Sequence, residues 1–190
     1  MKLYFTVIGA AMALISVANI ALRVAPWHHV LLAVIGCTAL QFVLDGIVAA
    51  TVNALPDRWF GIGKPLFRVS DRERKWHKRL RVRQWKDHVW ELGGLGGFSK
   101  KKLLRPDDPA YVEKFIMECN RGTVTHRLSY AVGFLALPIL RAPLRATVAI
   151  PVATVNLFLN VLPTLVLRYN TPLLHSALKR LKRRSDNKKA

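Results

Sequence analysis

The chain has 190 residues, a 52% hydrophobic composition and a formal net charge of +19. One ordinary soluble domain does not combine a positive mean hydropathy with 30 lysines and arginines unless the two kinds of residue are segregated. They are: residues 56–125 carry 17 of the basic residues and residues 168–190 carry 8, which leaves 5 for the two apolar blocks. Apolar blocks alternating with basic ones predict an all-α integral membrane protein with a basic face.

Residues 3–22 contain no charge and are long enough to cross a hydrocarbon core of about 30 Å. Lys2 and the stretch Ser16-Val17-Ala18 also fit a secretory signal with a cleavage site, although the length favours a retained helix. Residues 30–55 give a second membrane helix, interrupted by Asp45. An acid at that depth is expensive, so it is expected to face protein or a water-filled cavity, either as a structural partner or in a site.

The basic middle follows. Trp59, Phe60 and Phe67, among Pro and Gly, suit a chain leaving the bilayer at its interface. From Asp71 the pattern turns helical, with Ser70 as the expected cap. Trp76, Leu80, Arg83 and Lys86 or Asp87 recur at helical spacing. A basic helix carrying Trp is expected to lie on an anionic membrane surface, with lipid headgroups as its partners. No nucleic-acid recognition motif accompanies the charge, so nucleic acid is not an expected partner.

The stretch QWKDHVWELGGLGGFSKKKL, residues 84–103, joins a Trp-Lys-Asp cluster to four glycines in five residues and then to three lysines. Pro106-Asp107-Asp108-Pro109 marks a turn, and residues 110–120 read as a helix with Tyr111 and Phe115 along one side. Glu118, Arg121 and His126 then form a titratable trio where the apolar sequence resumes.

Residues 128–140 provide thirteen positions before Arg141, too few to cross upright without help. Residues 146–167 are long enough but contain Pro151, Pro163, Asn156 and Asn160. Prolines and amides at that depth suggest kinked helices packed against protein, either crossing or re-entering. The expected organisation is an N-terminal membrane hairpin (1–55), a basic cytoplasmic or interfacial region (56–125), a C-terminal membrane hairpin (126–167) and a basic cytoplasmic tail (168–190). That gives about four membrane helices, a multi-pass protein of the cell membrane with its basic regions on the cytoplasmic side.

Among chemistries, His126 suits a general base near neutral pH, with Glu118 or Asp87 to orient its imidazole. Backbone N–H groups of Gly94, Gly96 and Gly97 suit a nest for phosphate or a developing oxyanion, with Lys100 beside it. The His-x4-Asp pattern of glycerolipid acyltransferases is missing, as are a GxSxG elbow and a P-loop. Cys37 and Cys119 make no framework, and no Cys/His cluster has zinc spacing, so no metal is expected.

The segments VNALPDRWF (52–60), RQWKDHVWELGGLGGFSKKKL (83–103), FIMECNRGTVTH (115–126) and LRYNTPLL (167–174), in that order, resemble one family. It is the glycosyl-diaponeurosporenoate acyltransferases, the CrtO-type membrane proteins of staphyloxanthin-like carotenoid biosynthesis. The resemblance implies transfer of a fatty acyl group from a thioester, acyl-CoA or acyl carrier protein, to a hydroxyl of a glycosylated membrane lipid, with no bound cofactor. Trp85, Lys86, Asp87, Phe98, Ser99, Lys100, Glu118, Arg121, His126, Arg168, Tyr169 and Asn170 fall on its motif positions. Two departures stand out: Thr123 where the family has a second Glu before the His, and His88-Val89 where it has Leu-Pro. Two rival readings remain, a non-catalytic protein that binds anionic lipid or assembles a partner complex, and a carrier with a polar path lined by Asp45, Asn156 and Asn160.

Overall fold

The structure, a computed structural model, describes residues 2–89 and 103–187. Among these residues there is no strand; the chain forms α1 (Lys2–Ala21), α2 (Trp27–Ala54), α3 (Asp71–Arg79), α4 (Val82–Trp85), α5 (Pro109–Val132) and α6 (Ile150–Asn187). Three stretches are helical, long and apolar enough to cross a membrane: Tyr4–Ala21, Trp27–Ala54 and Arg145–Asn187. At 1.5 Å per residue, even the shortest reaches most of the way across a hydrocarbon core of about 30 Å. The expected third membrane segment takes another form. No proline separates the polar start of α5 from its apolar end, so it runs on to Val132, and a 3-10 helix, Gly133–Ile139, carries Pro138.

The chain divides into two compact units. The first comprises Met1–Asn53 and Thr125–Val161. α1 stops in a Schellman turn, with Val24 N–H on Asn19 O and Arg23 N–H on Ile20 O, and Arg23 takes the left-handed conformation usually given to glycine. In α2, Val30, Ala33, Val34 and Cys37 recur at i, i+3, i+4 and i+7 and bury one stripe against Val148, Ala149 and Val152. Leu14, Val17, Leu32 and Ile35 point outward, as helices facing lipid require. Pro151 has no N–H to offer the Thr147 carbonyl one turn before it, and Asn19 Nδ2 donates to that carbonyl at 3.0 Å, which ties α1 in place.

The second unit comprises Ala54–Val124 and Leu162–Ala190. Its core sets Val112, Phe115, Ile116 and Cys119 of α5 against Leu167, Leu174 and Leu178 of α6, again at helical spacing on both sides. Ser70 caps α3 as its sequence predicts, accepting from Glu73 N–H at 3.2 Å.

Gly133 marks the tightest point of the first unit. A Cβ there would lie 2.8 Å from both Asn156 Nδ2 and Gln41 Oε1. Gly133→Ala is therefore expected to cost about 1–3 kcal/mol by overpacking. Gly9→Ala, where nothing lies within 4 Å, should be neutral or slightly stabilising. Thermal unfolding of the detergent-solubilised variants checks both; equal melting temperatures would contradict the packing argument.

Candidate functional site

In the second unit, polar side chains gather around Arg168, which is only 5% exposed. Its Nε and Nη2 grip the two carboxylate oxygens of Glu73 at 2.7 and 2.5 Å. Nη2 also donates to Arg68 O at 3.0 Å, and Nη1 reaches Leu66 O at 3.4 Å. The guanidinium fork thus holds both the first turn of α3 and the extended stretch before it. His77, one turn after Glu73 on the same face, is buried with its ring edge-on to Tyr169 at 6.0 Å. Its Nε2 lies 3.9 Å from Glu73 Oε1, beyond hydrogen-bond reach. Burial holds the His77 imidazole below the usual histidine range; Glu73 pulls it back up and Arg168 pushes it further down.

A second cluster lies nearby in sequence. Arg121 donates to Glu118 Oε1 at 2.6 Å, pairs through Nη2 with Asp57, and stacks its guanidinium 4.8 Å from the Phe60 ring centroid. Asn120 donates to Phe60 O at 2.9 Å. The irregular segment between α2 and α3, which makes few backbone hydrogen bonds of its own, is therefore held by side chains of α5 and α6. Thr123 spends its hydroxyl on Cys119 O at 2.9 Å within α5, at a buried position in the helix interior.

The first unit holds an amide network. Gln41 Nε2 donates to Gly133 O at 2.7 Å, and Asn156 Nδ2 donates to Gln41 Oε1 at 3.0 Å. Asn160 Nδ2 faces Asn156 O at 3.1 Å, Asn156 Oδ1 at 3.0 Å and, at the outer limit, Asp45 Oδ2 at 3.5 Å. Those three acceptors fix which way the Asn160 amide points. Its Oδ1 then faces His126 Nδ1 at 2.9 Å. An amide oxygen only accepts, so Nδ1 carries the proton and Nε2 is the nitrogen with the lone pair. Asn160 thus stands between the Asp45 carboxyl and the His126 imidazole.

The residues named from sequence fall as follows. His126 meets Asn160, backed by Asp45, where Glu118 or Asp87 was expected; Glu118 is engaged by Arg121 instead. Asp87 is exposed and bonded to its neighbour Lys86 at 3.0 Å, and Trp85 donates to Leu80 O at 2.9 Å. Arg168 and Tyr169 share the Glu73–His77 cluster, and Asn170 is half-buried beside them on α6. Gly94, Gly96, Gly97, Phe98, Ser99 and Lys100 lie outside the described residues. Sequence reasoning missed Glu73 and His77. The signal was present in Ser70-x-x-Glu73, a capping pattern, followed four residues on by a histidine amid cations. It also missed Asp57, inside the DRWF motif, and read Asn160 as an amide of a helix packed against protein or as a wall of a carrier path, not as the partner of His126.

Two consequences can be measured. Glu73→Ala leaves a charge on Arg168 buried without its partner, so it should cost about 3–5 kcal/mol, read as a lowered melting temperature at neutral pH. The His77 pKa is lower folded than unfolded, so its contribution is fully present above about pH 6.5 and is lost as pH falls through the folded value. The wild type should therefore lose more stability between pH 7.5 and 5 than His77→Phe does. Parallel acid limbs would rule this out.

A family model described as CrtO, glycosyl-4,4'-diaponeurosporenoate acyltransferase, matches residues 56–180. No curated protein and no solved structure matches the chain. The matched stretch contains Glu73, His77, Arg121, His126, Asn160 and Arg168, while Asp45 and Gln41 precede it. The match extends over most of the chain and carries all the motif positions after residue 55: the chain belongs to the CrtO family, the glycosyl-4,4'-diaponeurosporenoate acyltransferases.

Proposed function

We propose that this protein transfers a fatty acyl group from a thioester donor, acyl-CoA or acyl carrier protein, to a hydroxyl of a glycosylated membrane lipid such as a carotenoid glycoside. His126 is the general base. The observation that supports this reading most directly is the 2.9 Å contact between His126 Nδ1 and Asn160 Oδ1, with the Asp45 carboxyl behind it. A base needs its reactive nitrogen fixed in position and its other nitrogen engaged, and this contact supplies both.

In the reaction, Nε2 takes the proton from the acceptor hydroxyl as its oxygen attacks the thioester carbonyl. The tetrahedral intermediate collapses with loss of the thiolate, which receives the proton back from the imidazolium. Asn160 and Asp45 are positioning residues: the amide holds the ring, and a carboxylate behind it favours the imidazolium. Lys100 and its lysine neighbours take the phosphates of the donor, and the glycines before them let backbone N–H groups approach. Trp85, Lys86, Tyr169 and Asn170 are the further candidates for substrate contact, whereas Arg168 is buried and engaged by Glu73. The protein sits in the cell membrane as a multi-pass protein, with residues 128–140 as a fourth membrane segment and the basic regions on the cytoplasmic side.

The second reading is a non-catalytic protein that binds anionic lipid. It draws on the exposure of Trp76 and of the basic side chains around it on α3.

The test uses purified protein in nanodiscs with radiolabelled acyl-CoA or acyl carrier protein and a lipid extract containing glycosylated acceptors. A labelled lipid product is expected, reduced about 10²- to 10⁴-fold in His126→Ala. Asn160→Ala should lower the rate less and shift the pH profile of kcat. A correctly folded His126→Ala that transfers at the wild-type rate would remove His126 from the chemistry. No product with either donor would favour the lipid-binding reading, which then predicts salt-sensitive binding to anionic vesicles.

A further inference from the structure

Within the first unit, α1, α2 and α6 each turn a stripe at helical spacing toward a common, half-open groove. Its walls are mostly apolar, set by side chains such as Ile8, Met12, Phe42 and Leu159, and Thr38, Gln41, Asp45 and Asn156 interrupt them. Because these helices are ones that cross the membrane, a ligand reaches such walls from the lipid phase. Asp45 is the unusual member. Its Oδ2 receives Asn160 at long range, while Oδ1 is screened from water and has no hydrogen-bond partner among the described residues. A buried carboxyl oxygen left unsatisfied in an apolar environment is costly, and ionisable groups at membrane depth mark functional sites more often than not.

We infer that this groove takes the apolar chain of a hydroxyl-bearing lipid sideways from the bilayer, with the lipid hydroxyl hydrogen-bonded to the Asp45 carboxyl. A hydroxyl suits the carboxyl in either protonation state, since it donates to a carboxylate and accepts from a carboxylic acid. The terminal torsion of an aspartate is soft, so a modest rotation turns the unsatisfied oxygen toward a ligand in the groove. The acyl chain of an ordinary phospholipid would fill the same walls but leave that oxygen unsatisfied. The chemistry therefore selects a lipid with a hydroxyl at chain level over bulk lipid. That the bound hydroxyl is the one acylated rests on the acyltransferase reading above, because Asp45 also stands behind Asn160 and His126.

Binding can be read without turnover. The full chain in phosphatidylcholine nanodiscs is photolabelled with a diazirine-bearing sixteen-carbon alcohol (~16 carbons, to match a span of the bilayer core) and, in parallel, with the alkane that carries the same photophore. Adducts are mapped by mass spectrometry. The alcohol is expected to label peptides containing Ile8, Met12, Phe42 and Leu159 about tenfold more than the alkane does. Asp45→Leu should bring the alcohol down to the alkane level, whereas Asp45→Asn, which still hydrogen-bonds, should keep a preference. Ala11→Trp, which fills the groove from the α1 wall away from the carboxyl, should reduce labelling by both probes and carries the test if Asp45→Leu does not fold. Equal labelling by alcohol and alkane in the wild type would overturn the inference, as would an alcohol preference that survives Asp45→Leu or undiminished labelling of Ala11→Trp. No acyl donor is present, so failure of the transfer assay leaves this result standing. Loss of the alcohol preference, in turn, leaves the His126 assay to be judged by itself.

Discussion

A guanidinium cannot shed its charge at any ordinary pH, so burying one obliges the surrounding chain to answer the donors it carries. Arg168 imposes that condition on the second unit. Glu73 meets two of its five donors, and the carbonyls of residues 66 and 68 meet two more. The consequence is architectural. The first turn of α3 and the extended stretch before it are fixed because a side chain on α6 has nowhere else to place its hydrogen bonds. Arg121 and Asn120 act similarly on residues 57 and 60, so a segment poor in backbone pairing is held at several points by α5 and α6.

The first unit meets the same requirement with amides instead of charges. An amide donates and accepts at once, so Gln41, Asn156 and Asn160 link into a chain in which each side chain satisfies the next. Such a chain specifies geometry because each member has few ways to keep all its bonds. It explains why position 133 has no side chain: a methyl group there would sit where two amides meet. It also explains how an imidazole on α5 acquires a defined orientation from a residue on α6.

Much of this was legible in the sequence. Long apolar runs gave α1 and α2, Ser70 gave the start of α3, and four ordered motifs gave the family. The end of one element was harder to read. The change from polar to apolar composition near residue 125 looks like a boundary, but it is a change of environment along one helix, since α5 has no proline after Pro109 and accommodates Gly122 in its interior. α6 likewise continues through Pro163 and Pro172 into the basic tail, because a membrane helix tolerates proline where side chains or neighbours satisfy the carbonyls it releases. Partnerships were least legible. Arg168 and Glu73 are 95 positions apart, and His126 and Asn160 are 34 apart. Composition marks each of these residues as unusual, but nothing local says which will meet.

The two cysteines have a practical consequence. Cys37 and Cys119 are each packed into the hydrophobic core of their own unit, with almost no exposed surface. A thiol buried in this way reacts slowly with polar reagents, because the reagent cannot approach it. A cysteine introduced at an exposed position would therefore be modified selectively in the native chain. Spin labels, fluorophores or membrane-impermeant maleimides can be placed one at a time, on either side of the bilayer, without first removing the native cysteines and the packing they provide.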